Sequence, residues 1–166
     1  PPNITANAIM ANPDFLAIKE SDFEEFHYEP FTKTLDRYPK HKNCFSLWND
    51  GISEGLFYPQ YHGREHIQVL RWMNYLKDPK SDIRQAFNLG ICGLSSHVSS
   101  DITESYLAAY DWDDEKSRSF VMDSISEGLK LFEEIFGFKS TSTIAPNYTW
   151  HNDIESIFKK EGVHYI

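Results

Sequence analysis

The sequence predicts an α/β protein built on a parallel sheet with covering helices, the sheet open or closed into a barrel. Three observations lead there. Short apolar runs alternate with segments of helical periodicity in the order strand, helix, strand, helices, strand, helix, strand. That alternation marks parallel strands joined by helical crossovers. Three strand ends carry polar or ring side chains, at Asn12-Pro13-Asp14, His62 to His66 and Pro146 to His151. In such folds chemistry collects at the C-terminal ends of the strands. Finally, 166 residues with 40% apolar content suit one domain, or part of a larger one, with a real core.

The elements follow in order. Ile4 to Ala11 is small and apolar, which predicts a strand buried on both faces. Asn12-Pro13-Asp14 is a turn or helix start. Phe15, Ile18, Phe23 and Phe26 lie in an acidic segment, helical or irregular, that Glu29-Pro30-Phe31 breaks. Thr34 to Tyr38 allows one short helical turn before Pro39. Cys44 to Glu54 predicts a helix, with Phe45, Trp48 and Ile52 on one face and Gly55 as its stop. Leu56 to Tyr61 is the second strand, and His66 to Lys77 the helix after it, with Ile67, Leu70, Met73 and Leu76 as its apolar positions. Ser81 caps a short helix to Asn88. Ile91 to Asp111 is a Ser- and Gly-rich excursion with a helical piece around Thr103 to Tyr110. Asp113 to Phe136 is the clearest helix, striped by Val121, Ile125, Leu129, Phe132 and Phe136 and ended by Gly137. Its acidic start, Asp111 to Glu115, favours the helix dipole. Ser140 to Ala145 is the third strand. Asn152 caps the next helix with Glu155 as capping-box partner, and Val163 to Ile166 starts a fourth strand.

Composition narrows the function. A net charge of −9 without a basic stripe argues against nucleic acid as partner. No apolar run is long enough to span a bilayer. Cys44 and Cys92 make neither a disulfide framework nor a CxxC site and read as two buried thiols. The chain opens into one strand-like run and closes on another, so residues 1–166 are expected to form a single, incomplete domain of a longer protein.

The sharpest chemistry lies at His62-Gly63-Arg64-Glu65-His66. An aromatic run leads to His62 at a strand exit, and His66 is expected in the first turn of the following helix. Two imidazoles four positions apart can face one cation, and imidazole is the commonest protein metal ligand. Two histidines satisfied by loop hydrogen bonds are the plainer alternative. The segment also spells H-x-x-E-H, the inverzincin protease pattern with Glu65 as base. That pattern needs one helix through both histidines, and Gly63 and Pro59 argue against it. Glu65 then reads as solvated or as an outer partner of the site. The second constellation is Thr143-Ile144-Ala145-Pro146-Asn147-Tyr148-Thr149-Trp150-His151. Its flat rings and polar rim suit a sugar, although a core Trp and a turn Tyr explain Trp150 equally well. His151 and Asn12 are the remaining candidates for substrate contact, although an exposed loop histidine just before the Asn152 cap is the plainer reading of His151. His27 and His41 read as exposed. The Ser-His-Asp run around His97 is no triad on adjacency alone, because a triad is assembled in space.

With these residues in view, the chain resembles the polysaccharide deacetylases, the NodB-like barrels of carbohydrate esterase family 4, in a divergent bacterial branch. The resemblance rests on His62-x-x-x-His66 at a strand end, the long helix, the Gly137-Phe138-Lys139-Ser140 entry, the Pro146-x-Tyr148 strand end and the closing Glu161-Gly162-Val163-x-Tyr165-Ile166. It implies a parallel-stranded (β/α) barrel of the deacetylase type, of which this chain carries part. It implies a divalent metal, with zinc expected, held by His62, His66 and an aspartate. It implies a carbohydrate substrate that loses N- or O-acetyl groups, and a Tyr148 backbone N–H that helps hold the oxyanion.

The chain also departs from that family. Its Asp-Asp pair is not in or near the first strand, and its late acid histidine has no counterpart; both are expected outside Pro1 to Ile166. Ala145 stands where an arginine usually begins the Arg-x-Pro-Tyr motif, and Gly63 where Ser or Thr follows the first histidine. The expected activity is therefore metal-assisted deacetylation in the intact protein. The alternative is a non-catalytic carbohydrate-binding or scaffold relative.

Overall fold

A computed structural model describes residues 3–166. It is α/β, with seven α-helices and a small parallel sheet, and no closed barrel forms among the described residues. β1 (Ile4–Ala8) pairs in parallel with β4 (Phe57–Tyr61), Ile4 opposite Phe57 and Ala8 opposite Tyr61. Single parallel bridges, Tyr61 to Thr143 and Ser142 to Tyr165, continue the sheet. The order β1, β4, 142–143, 165 is thus parallel, as expected, but its last two members are bridges and not ladders.

Side chains explain why the third strand stays short. The Gln60 carboxamide oxygen accepts the backbone N–H groups of Thr141 (3.0 Å) and Ser142 (2.7 Å). The Tyr61 N–H donates to Ser140 Oγ at 2.8 Å. Polar side chains meet the backbone needs that a strand partner would have met. The predicted strand over 4–11 is also broken. The chain bends after Ala8, and Ala11–Pro13 re-forms as β2, antiparallel to β3 (Tyr28–Pro30). Among the described residues β1 has one strand neighbour, and within β1 Ile4 is exposed and only Ala8 is fully buried.

The helices are α1 (Phe15–Glu20), α2 (Phe31–Arg37), α3 (Cys44–Ser53), α4 (Val69–Leu76), α5 (Asp82–Asn88), α6 (Glu115–Phe136) and α7 (Glu155–Glu161). α6 matches its periodicity. Asp114 and Ser117 make a reciprocal cap, Gly137 closes it in the left-handed region, and Val121, Ile125 and Phe132 enter the core. Burial of side chains such as Ile125 and Phe132 stabilises the fold by about 1.5–3 kcal/mol each. Gly128 lets α6 approach β4. A Cβ there would lie 2.4 Å from the Tyr61 hydroxyl and 2.9 Å from the Arg64 Cβ.

Three helix expectations change. α4 begins at Val69, because the Gln68 side chain accepts the Arg71 N–H and sets the cap, so His66 lies in the preceding loop. Thr103 to Tyr110 is not helical; Ile102 and Tyr106 plug the second core, and Tyr106 O accepts the Gln68 N–H. Asn152 makes no side-chain cap; it opens a 3-10 turn, and α7 follows from Glu155. One core packs the sheet against α6 and α7, and the other surrounds Trp72 between α1, α4 and α5. Both cysteines are free and half-buried. Among the described residues no helix is long and apolar enough to cross a membrane.

Candidate functional site

His62 follows the last residue of β4, and its N–H still bonds Ala8 O, which carries the strand hydrogen bonding one residue further. Gly63 turns the chain with φ +125, and a Cβ there would lie 2.9 Å from the Glu65 carbonyl oxygen. Any L side chain would be strained at that φ. A Ser or Thr at this position would therefore be strained. The irregular loop brings His66 back toward His62, and the two rings stand 5.2 Å apart at 66°. His66 is exposed and His62 half-buried.

The His62 Nδ1 lies 2.5 Å from the Ile144 carbonyl oxygen. A carbonyl only accepts, so Nδ1 carries the proton and Nε2 keeps its lone pair. This bond joins the end of β4 to the end of the 140–145 stretch. Burial lowers the His62 pKa; the Ile144 carbonyl opposes that shift and the neighbouring His66 adds to it. A neutral imidazole with a fixed tautomer is the form that ligates a cation.

The residues between the histidines are not solvated. Arg64 and Glu65 are each 4% exposed. Arg64 Nε lies 2.6 Å from Glu65 Oε2, and Nη2 lies 3.0 Å from Oε1. Ser124 donates to Glu65, and the guanidinium also reaches Glu127. Glu65 is thus a buried ion-pair partner. Residues 62–66 form no helix, so the single helix required by the H-x-x-E-H protease pattern is absent.

The other candidates go elsewhere. Asn12 donates to Thr34 Oγ1 at 3.1 Å and belongs to a network with buried Glu29. Asp14 accepts the Ala17 N–H and caps α1. The Tyr148 N–H donates to Ala145 O at 2.9 Å, so this geometry does not offer it to an oxyanion. Asn147 and Tyr148 both adopt positive φ, and the Tyr148 ring is 84% exposed. Trp150 is partly exposed, with a backbone bridge to Tyr110. His151 stacks on Trp112 at 3.8 Å and bonds Asp111 at 3.1 Å. Asp111 in turn pairs with Arg71 at 2.8 Å. Burial would raise the Asp111 pKa, but His151 and Arg71 outweigh it and hold it low. Of the acidic run, only Asp114 caps α6 through its side chain, while Asp111 and Asp113 serve Arg71.

The structure therefore unites His62, His66 and Ile144, and attaches Asn12 and His151 to separate networks. No group of three His, Cys, Asp or Glu side chains suited to a metal occurs among the described residues. The histidines supply two nitrogen donors, and neither Asp14 nor Glu65 is free to add a third. A hollow of about 380 Å³ lies beside the second loop, lined by Arg71, Asp111, Asn147 and Thr149. A cleft of about 500 Å³ between α4 and the start of α6 contains neither histidine. Sequence reasoning missed the buried Arg64–Glu65 pair and the Arg71 cluster. The juxtaposed charges in Arg64-Glu65, followed by apolar Ile67, were a signal for the first. Compared with family models, curated proteins and solved structures, the chain matches none of them.

Proposed function

We propose that this protein is a metal-dependent hydrolase acting on carbohydrate, which removes N- or O-acetyl groups from a polysaccharide. His62 and His66 are two ligands of its divalent ion, and zinc suits the imidazole donors. The observation that carries the reading is the His62 ring. Its Nδ1–H is tied to the Ile144 carbonyl, and His66 stands 5.2 Å away, centroid to centroid. A backbone carbonyl behind a histidine is the usual partner of a metal-ligating imidazole. A bound metal would polarise the acetyl carbonyl and acidify a water. This chain's part is to hold His62 neutral and in one tautomer, and to keep His66 beside it. A third ligand is needed besides the two histidines: Asp14 caps α1, Glu65 is bound by Arg64, and no group of three metal-ligating side chains occurs among the described residues.

A second reading, a non-catalytic carbohydrate-binding relative, draws on the second loop. The Tyr148 N–H is held by Ala145, while the Tyr148 and Trp150 rings face solvent. Metal analysis separates the two. The wild-type protein is expected to hold zinc, and His62→Ala and His66→Ala each to lose it. Unchanged metal content in both variants would overturn the hydrolase reading.

A further inference from the structure

Two histidines outside any helix or strand need something to hold them face to face. The residues between them supply it. Neighbouring residues point about 100° apart in a helix and to opposite faces in a strand. A two-pronged pair between adjacent residues, such as Arg64 with Glu65, belongs to neither geometry. Where that pair forms, the backbone must be irregular, and Gly63 provides the bend.

The pair is itself anchored on several sides. From α6, Ser124 donates to Glu65 Oε1 at 3.0 Å and Glu127 bonds the guanidinium. From β3, the Tyr28 ring lies under the guanidinium at 4.3 Å, with the Phe120 ring of α6 at 5.4 Å. From the β1–β2 bend, the Met10 N–H bonds Gly63 O at 3.0 Å and the Ala11 N–H bonds Arg64 O at 2.6 Å. Arg64 and Glu65 are turned inward, and exposed His66 is left outside them.

We propose that the Arg64–Glu65 pair is a positioning brace that holds His62 and His66 face to face and keeps the His62 Nδ1–H on the Ile144 carbonyl that fixes its tautomer, and through them sets the affinity for the metal. This inference rests on the proposed role of the two histidines. Glu65 is a positioning residue here, acting through the loop and not as a base.

The test compares the wild type with Glu65→Gln and Ser124→Ala, beside His62→Ala and His66→Ala. Zinc affinity is read by competition with a chromophoric chelator. The ring-nitrogen NMR shifts of His62 are read without metal. Glu65→Gln keeps the size of the side chain and removes its charge. Outer partners of metal ligands typically contribute about 10–100-fold in affinity, so Glu65→Gln should lose that much and Ser124→Ala a smaller factor. The metal-free spectrum should show His62 as one Nδ1–H tautomer in the wild type and as a mixture in Glu65→Gln. If the histidine variants bind zinc like the wild type, the hydrolase reading fails and the metal-free spectra alone decide the brace. If the histidine variants lose zinc, while Glu65→Gln and Ser124→Ala keep wild-type affinity and spectra, the brace is overturned. A lowered melting temperature with unchanged affinity and spectra overturns it too. Should Glu65→Gln not fold, Ser124→Ala carries the test on the same two readouts.

Discussion

Arg64 and Arg71 each gather carboxylates beside a loop that carries a candidate histidine, and they do so in opposite surroundings. Arg64 and Glu65 are both 4% exposed, enclosed by Tyr28, Phe120 and Ser124. Arg71 is 13% exposed, and its partners Asp111, Asp113 and Glu104 open progressively to solvent. Three carboxylates do not make Arg71 the stronger anchor. Water screens each of those pairs, and any one acid can be lost while the others remain. In the Arg64 site the low dielectric strengthens the attraction and makes an unpaired charge expensive. Burial, rather than the number of partners, decides which histidine loop is held rigidly.

That contrast gives the largest expected effect. Glu65→Ala leaves the Arg64 guanidinium buried with only half-exposed Glu127 as counter-ion. Breaking a buried pair by removing one partner typically costs about 3–5 kcal/mol. Asp111→Ala leaves Arg71 with Asp113 and Glu104, and a screened pair of this kind contributes about 1 kcal/mol or less. Urea unfolding of both variants measures the difference. Equal losses would break the comparison.

The same contrast separates what was legible in the sequence from what was not. α6 could be read because its stripe, its Asp114 cap and its Gly137 stop are local signals that agree. β4 is legible for the same reason. The 140–145 strand was over-read because β-branched residues and serines there suggest a strand, yet Gln60 and Ser140 side chains take up the backbone groups. That substitution depends on residues about eighty positions apart, which no local pattern reports. The apolar spacing that begins at Ile67 suggests a helix reaching back to His66, whereas the Gln68 cap delays the helix to Val69. Asn12 and His151 sit at strand ends in sequence, but each meets a nearer polar partner, Thr34 or Asp111.

A smaller effect concerns pH. Burial lowers the His62 pKa in the folded chain, with His66 adding to the shift against the Ile144 carbonyl. As pH falls, the unfolded chain therefore takes up the His62 proton first, from about pH 6.5. Protonation then favours unfolding, and the destabilisation grows until the folded form also protonates. His62→Gln keeps a donor for the Ile144 carbonyl and removes the titration. The melting temperature should fall more steeply for the wild type than for His62→Gln between about pH 7 and about pH 5. Parallel slopes would mean that His62 titrates alike in both states and that the strand-end loop is not desolvated.

The smallest effect belongs to the second loop and sharpens the comparison most directly. Asn147 and Tyr148 have φ of +57 and +54, and Tyr148 lacks the short polar side chain that eases asparagine into that region. The left-handed conformation costs a non-glycine residue about 1–2 kcal/mol. Tyr148→Gly removes that strain, and its extra freedom in the unfolded chain returns about 0.5–1 kcal/mol of it. The Tyr148 ring is 84% exposed, so little buried area is lost with it. These contributions nearly cancel, and the stability of Tyr148→Gly should lie within about 1 kcal/mol of the wild type. If the second loop binds carbohydrate as proposed, binding of chito- or xylo-oligosaccharides, followed by tryptophan fluorescence, should weaken in Tyr148→Gly while the unfolding curve barely moves. A large loss of stability would instead show the second loop to be held as firmly as the first.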